Sequence, residues 1–325
     1  DWKYVGEPNE SWYYTPDKFS KVSFNKESLR HKILNVYTNL EGFHLEDTQL
    51  LSSIYYQRLK YIFNEVTVEE TEPKWQSAFN YFIDNSSRSK FLYELALLKY
   101  QSGKSYDFKS NTSVKGDLIV AKKMLKDELN RFPDSDFTEQ ISDLIQLIEQ
   151  PRVDFNAQST AYPGDKIPLK LEHQNIDSLV LYFFKSPKEY PKNKGLRKLI
   201  KEGHYTPTRE LHLAVKDLND HQERSTEYLF DAIEKAGDYL IFATNTEDDF
   251  NKALKSDSLW RVLPKAHYSL VVSEIMVTNE KNDDGMQFYV TDYKTGEPIE
   301  GAKVSVYFNR NFQILPERSE ERRVG

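Results

Sequence analysis

Glu149-Gln150-Pro151-Arg152-Val153-Asp154-Phe155-Asn156 is where the chain changes its period. Ahead of Pro151, apolar residues return every three to four positions, as they do along one face of a helix. Behind it, Val153 and Phe155 alternate with Asp154 and Asn156, as on a half-buried strand. Proline has no amide to give a helix interior and pushes the preceding residue out of the α region, so the change falls where the backbone must break. The expected fold class is therefore multidomain, α then β. It has an extended segment at 1–25, a helical domain at 26–150, a β-sandwich at 151–272 and an incomplete second β domain at 273–325.

Working back from the break, 27–40 carries Leu29, Ile33, Val36, Tyr37 and Leu40 at helical spacing, and 46–66 carries Leu50, Ile54, Leu59 and Ile62. Pro73 suits the first turn of a third helix, where a missing amide costs least, and Trp75, Phe79 and Phe82 follow. Asn85-Ser86-Ser87 supplies capping oxygens for a fourth, running to about Ser102. Ser113 is the expected cap of a fifth, with Leu118, Ala121, Leu125 and Leu129 on one face, ending before Pro133. Asp134-Ser135-Asp136 then caps a sixth over 137–149. Ala121 and Pro133 stand at the spacing of the later half of a tetratricopeptide hairpin, with Leu125 in place of its aromatic. This pair resembles one degenerate repeat of that kind.

Working forward, period two continues through Leu169, Leu171 and His173, a β-former run at 179–184, Leu211, Leu213 and Val215, then 238–244 and 267–272. Short strands separated by turns such as Tyr162-Pro163-Gly164-Asp165 predict a sandwich of two sheets rather than alternating β and α units. The interval 186–208 reads as a long loop with a short helix near Leu196. A third stretch offers strands at 275–277, 286–291 and 302–308, too few to cover both faces of a sheet, which predicts that the parent polypeptide continues.

Two segments resemble a known family. The first is Phe132-Pro133-Asp134-Ser135, then Glu149-Gln150-Pro151-Arg152-Val153, then Tyr162-Pro163-Gly164. It resembles the junction between helical leader and first sandwich in bacterial alpha-2-macroglobulin-like proteins of the Bacteroidetes type. The second, Thr295-Gly296-Glu297-Pro298-Ile299-Glu300-Gly301-Ala302-Lys303-Val304, is similar to the opening of a macroglobulin domain, and Ala236-Gly237-Asp238-Tyr239 adds a Gly-x-Tyr strand start. The resemblance implies macroglobulin-like Ig-type sandwiches and a parent protein that binds or inhibits proteases outside the cytoplasm, in the periplasm or cell envelope. Asp1 in place of Met fits removal of a signal peptide. The thioester of some family members needs a cysteine; this chain has none, so that chemistry would lie elsewhere in the parent. The chain itself would be a non-catalytic scaffold and docking region.

Composition narrows the chemistry. The 325 residues include 14% aromatics, enough to build cores, and no run approaches the roughly 20 apolar residues of a membrane span. A net charge of -7 argues against nucleic-acid partners, and the basic runs 188–201 and 318–323 are interleaved with Tyr, Pro and Glu. Absence of cysteine removes disulfides and thiolate sites. None of the seven histidines (His31, His44, His173, His204, His212, His221, His267) forms H-E-x-x-H, and no nucleotide loop or nucleophile elbow occurs. His173 and His212 read as ordinary strand residues. The acidic runs Glu247-Asp248-Asp249 and Asn282-Asp283-Asp284-Gly285 read as turns, with oxygen ligands but not the spacing of a calcium loop. The expectation is no catalytic residue, cofactor or metal, and a partner that is protein. The competing reading is a cell-envelope adhesion module whose helices grip a peptide or glycan while the β domains act as a stalk.

Overall fold

The computed structural model describes residues 10–24, 28–65, 71–107, 109–186, 195–282 and 285–304. Helices come first and β-sheets follow. The chain divides into two compact units, Asp1–Gln150 with Asp217–Gln222, and Pro151–Lys216 with Glu223–Gly325.

In the first unit α1 (Pro16–Phe19), α2 (Leu29–Phe43), α3 (Thr48–Glu65), α4 (Glu72–Tyr81), α5 (Ser89–Lys104), α6 (Asp117–Arg131) and α7 (Thr138–Glu149) surround two apolar cores. One is aromatic-rich, with Trp12, Phe19, Tyr55, Trp75, Phe82 and Phe91. The other is aliphatic: Ala96 of α5, Ala121 and Leu125 of α6, and Ile141, Leu144 and Ile148 of α7. Ala121 is fully buried between neighbouring helices, as its small side chain requires. Asp217–Gln222 belongs with these helices: Gln222 Nε2 donates to the Lys115 carbonyl at 3.3 Å, and His221 Nε2 lies 2.9 Å from Lys122 Nζ.

Two expectations here need correction. The stretch 1–25 is not extended where it is described: Glu10–Tyr13 forms a 3-10 turn and α1 follows. The reason is Arg58, whose guanidinium is wholly buried on α3. It donates to the carbonyls of Trp12 at 2.5 Å and Tyr14 at 2.8 Å, so the segment must curl over it. The Phe19 ring lies 3.5 Å from its carbon and completes the lid. The second concerns helix caps: α6 starts after Gly116 and α7 after Phe137, each with no side-chain cap, so neither Ser113 nor Asp134-Ser135-Asp136 plays that part.

In the second unit β1 (Arg152–Ala157), β3 (Ile167–Gln174) and β6 (Arg224–Phe230) form an antiparallel three-stranded sheet. A five-stranded sheet runs in the order β2 (Thr160–Ala161), β8 (Lys265–Val272), β7 (Gly237–Thr244), β4 (Ser178–Lys185), β5 (Pro207–Ala214). The two sheets share one core: Phe155, Leu169 and Leu171 meet Leu181, Phe183, Ile241 and Leu270. The opposite face of the larger sheet is apolar as well, because α8 (Leu196–Lys201), α9 (Glu247–Lys255) and α10 (Asp257–Val262) cover it. That second covering is why 179–184 reads as a continuous β-former run rather than an alternation. The β2–β8 pairing is parallel, and Glu247-Asp248-Asp249 is no turn but the first turn of α9, capped by Thr246. A separate hairpin, β9 (Ile275–Asn282) with β10 (Gly285–Asp292), follows. Residues 302–304 take no strand conformation. The rest of the expected strand at 302–308, part of the loop at 186–208, and Asp283-Asp284 lie outside the described residues.

Candidate functional site

The helical unit holds a polar cleft of about 210 Å³, lined by Gln49, Asn85, Ser86, Ser87, Ser89, Lys90, Asp134, Asp136 and Phe137. Three sequence features bring these walls together. Asn85 folds its carboxamide onto the Ser87 amide at 2.8 Å and so ends the α4 connection in a 3-10 turn. That turn delivers Ser89 and Lys90 at the start of α5. Pro133 stops α6, and Ser135 Oγ accepts from the Phe137 amide at 3.3 Å, which sets Asp134 and Asp136 on the opposite rim.

Lys90 is the chemically distinctive residue. It is only 4% exposed, and its ammonium donates to Ser52 Oγ at 3.1 Å and Ser53 Oγ at 2.9 Å. Both hydroxyls in turn donate hydrogen bonds to the Gln49 carbonyl, at 2.8 and 3.1 Å. The cation thus rests on neutral oxygens. Burial lowers its pKa, and the Asp136 carboxylate works against that fall. Asp136 in turn accepts from Gln49 Nε2 at 3.5 Å across the cleft. The floor therefore offers a positive charge and hydroxyls, and the rim offers carboxylates and carboxamides.

Two fully or nearly buried ion pairs hold the surrounding helices. Arg58 meets Glu41 at 2.7 Å, and Arg88 meets Glu128 at 2.7 Å, with Ser89 Oγ donating to Glu128 at 2.7 Å. Burial pushes the Glu41 carboxyl up to about 7, and the Arg58 charge opposes that rise. These pairs are buried and read as structural.

The residues singled out in the sequence fall elsewhere. His173 is buried on β3 at 3% exposure. His212, expected to be a plain strand residue, lies on β5 with its Nε2 2.9 Å from Glu210 Oε1. The ligand atoms of Glu210, His212 and Glu247 all lie within 4.8 Å of one another. H-E-x-x-H pairs its histidines across one helical turn, whereas Glu210-x-His212 is an E-x-H pair on a strand, where alternate residues share a face.

No family model matches this chain, and no curated protein matches it. Among solved structures it is similar to the Pseudomonas fluorescens alkylpurine DNA glycosylase AlkC bound to DNA containing an abasic site analog. The identity is 9%, the TM-score 0.19, and the match covers 80% of this chain and 76% of that one. A likeness that loose carries no argument about function.

The macroglobulin resemblance is thereby overturned: no family model and no curated protein supports it, and the solved structure just described is a DNA glycosylase. Local turn chemistry accounts for the misreading. In the 292–301 stretch Asp292 accepts from the amides of Lys294 and Thr295 at 2.9 and 2.8 Å, and Gly296 and Gly301 sit at φ of 72° and 70°. Any strand–turn–strand passage of this shape needs Asp and Gly at such places, whatever its ancestry. The expectations of protease binding and of an extracytoplasmic location lose the support they drew from that kinship.

Proposed function

We propose that the chain is a non-catalytic protein-docking module, whose helical unit grips a peptide segment of its partner while the β unit serves as scaffold. The observation that carries this reading is the cleft around Lys90. A buried ammonium resting on hydroxyls, at the start of a 16-residue helix, favours a carboxylate. The rim suits the other half of a peptide, because Gln49, Asn85, Asp134 and Asp136 offer acceptors and carboxamides to backbone amides. Helical hairpins such as α6–α7 recur in peptide-gripping folds, and Ala121 and Pro133 stand at the repeat spacing of one such fold. The ligand is accordingly read as a peptide with an acidic residue or a free C-terminus.

The test uses the whole chain and fluorescent peptides that differ only in that group. Acidic peptides bind and their amidated counterparts do not. Lys90→Met, close in shape but uncharged, weakens binding about tenfold or more, the loss of one charge-assisted hydrogen bond. Retention of neutral peptides or neutral glycans with equal strength, indifferent to Lys90→Met, would overturn the reading.

A further inference from the structure

We propose that Glu210, His212 and Glu247, with the Tyr182 hydroxyl among them, form a binding site for a divalent transition-metal cation. Strand geometry builds the first half. β5 is the edge of the five-stranded sheet, and Glu210 and His212, two apart, point to the same side. Tyr182 on β4 is the direct cross-strand partner of Glu210, and Val180 that of His212. This is the face that α9 covers: the Tyr182 ring stacks on Phe250 at a centroid distance of 4.6 Å. Glu247 opens α9 three residues before Phe250, on the same side of the helix, and so arrives above the strand pair.

An exposed His–Glu pair by itself would be unremarkable. Tyr182 is what distinguishes this one. It is 4% exposed, and its hydroxyl has no hydrogen-bond partner among the described residues. Burial raises its pKa most, and Glu210 and then Glu247 raise it further, so the hydroxyl lies in the field of both carboxylates. An unpaired buried hydroxyl is destabilising, and a phenylalanine would fill the same place without that cost. A hydroxyl held there serves a purpose if it donates to a carboxylate or water already committed to a cation.

The donor set selects the ion. Imidazole nitrogen with two carboxylates suits zinc, iron, cobalt or nickel and is poor for magnesium or calcium, which prefer oxygen alone. Ligand atoms around tetrahedral zinc stand roughly 3.3 Å apart, given metal–ligand bonds of about 2.0–2.1 Å. The present spread of up to 4.8 Å closes by small rotations, which side chains with exposed ends can make. His212 is 63% and Glu210 35% exposed, so two of the ligands approach from solvent and the site remains open to a further ligand.

Titration calorimetry of the metal-free whole chain with Zn²⁺, and visible absorption with Co²⁺, decide the matter. The expected result is saturable uptake of a single ion, with the stronger visible bands of low-coordinate Co²⁺. His212→Ala and Glu247→Gln abolish it. Tyr182→Phe keeps the fold, since it removes only an unpaired hydroxyl, and weakens the metal about tenfold. His204→Ala is the control: His204 and Glu202 form another exposed pair at 3.3 Å, and its loss leaves uptake unchanged. Uptake that persists in His212→Ala, or that falls equally in His204→Ala, overturns the site, as does no saturable uptake at all.

Discussion

Arg58 brings a planar cation into a helical core, and its surroundings explain how the core tolerates it. Nε and Nη2 meet the two Glu41 oxygens at 2.7 and 3.1 Å, Nη1 and Nη2 meet backbone carbonyls, and Phe19 and Tyr55 cover its faces. Arg58→Met strands the Glu41 carboxylate and two carbonyls and is expected to cost about 3–5 kcal/mol at pH near 8. The double variant Arg58→Met with Glu41→Leu, which removes both charges, should recover most of it; denaturant melts of the three proteins measure the difference. Glu41 also sets a pH dependence. Its folded pKa is pushed up to about 7 by burial from an ordinary 4.5, so between those values the native state holds a proton that the unfolded state releases. Stability is then greatest below about 4.5 on this account and falls as pH rises through 7. Glu41→Gln cannot titrate, so its melts at pH values across that window should show a flatter slope. Nothing in the linear sequence foretold this pair. Glu41 and Arg58 are 17 residues apart on different helices, and each alone looks like an ordinary surface charge.

At the scale of elements, close approach matters more than charge. Gly103 lies where α5 meets the start of α6, and a Cβ there would fall 2.7 Å from Leu118 Cγ and 2.9 Å from the Leu118 amide nitrogen. The backbone atom cannot rotate away. Gly103→Ala should therefore lower stability by about 1–3 kcal/mol through overpacking, despite alanine's better helix propensity, and thermal melts check the sign. Helices with one strongly apolar stripe were legible in the sequence, as Ile141, Leu144, Ile145 and Ile148 of α7 show. β6 was not. Its inward positions Arg224, Thr226 and Tyr228 are only half-buried and mostly polar, so no apolar alternation marks it. α9 was missed for another reason. It buries only Phe250 and Ala253, and the acidic triplet that looked like a turn is a capped first turn, with Thr246 Oγ1 accepting from the Asp249 amide at 3.1 Å. The Thr246-x-x-Asp249 spacing was the available signal. Likewise Glu210-x-His212 was visible as a strand pair, but Glu247, its third member, comes 35 positions after His212, and only the fold brings it near.

For the molecule as a whole, the Pro151 break in period marks a real change from helices to sheets, because each architecture must bury its own repeating face. What the period could not carry is the allegiance of Asp217–Gln222, a loop by composition that clusters with the helices through Lys115 and Lys122. Nor could it carry ancestry, since turn chemistry is shared by unrelated β proteins. Two units with separate cores should unfold as two cooperative events rather than one. Calorimetry of the intact chain tests this with one core variant in each. Arg58→Met strikes the helical core, and Ile241→Ala removes a fully buried side chain from the core shared by the two sheets, at a cost of about 2–5 kcal/mol. In units of this size each kcal/mol lowers a midpoint by roughly 2–4 °C, so either variant displaces its own transition well beyond error. The expected record is two peaks, one lowered by each substitution while the other stays in place. A single peak that both substitutions lower together would mean that the two cores melt as one cooperative body, and the division at Pro151 would then be a matter of architecture without a counterpart in stability.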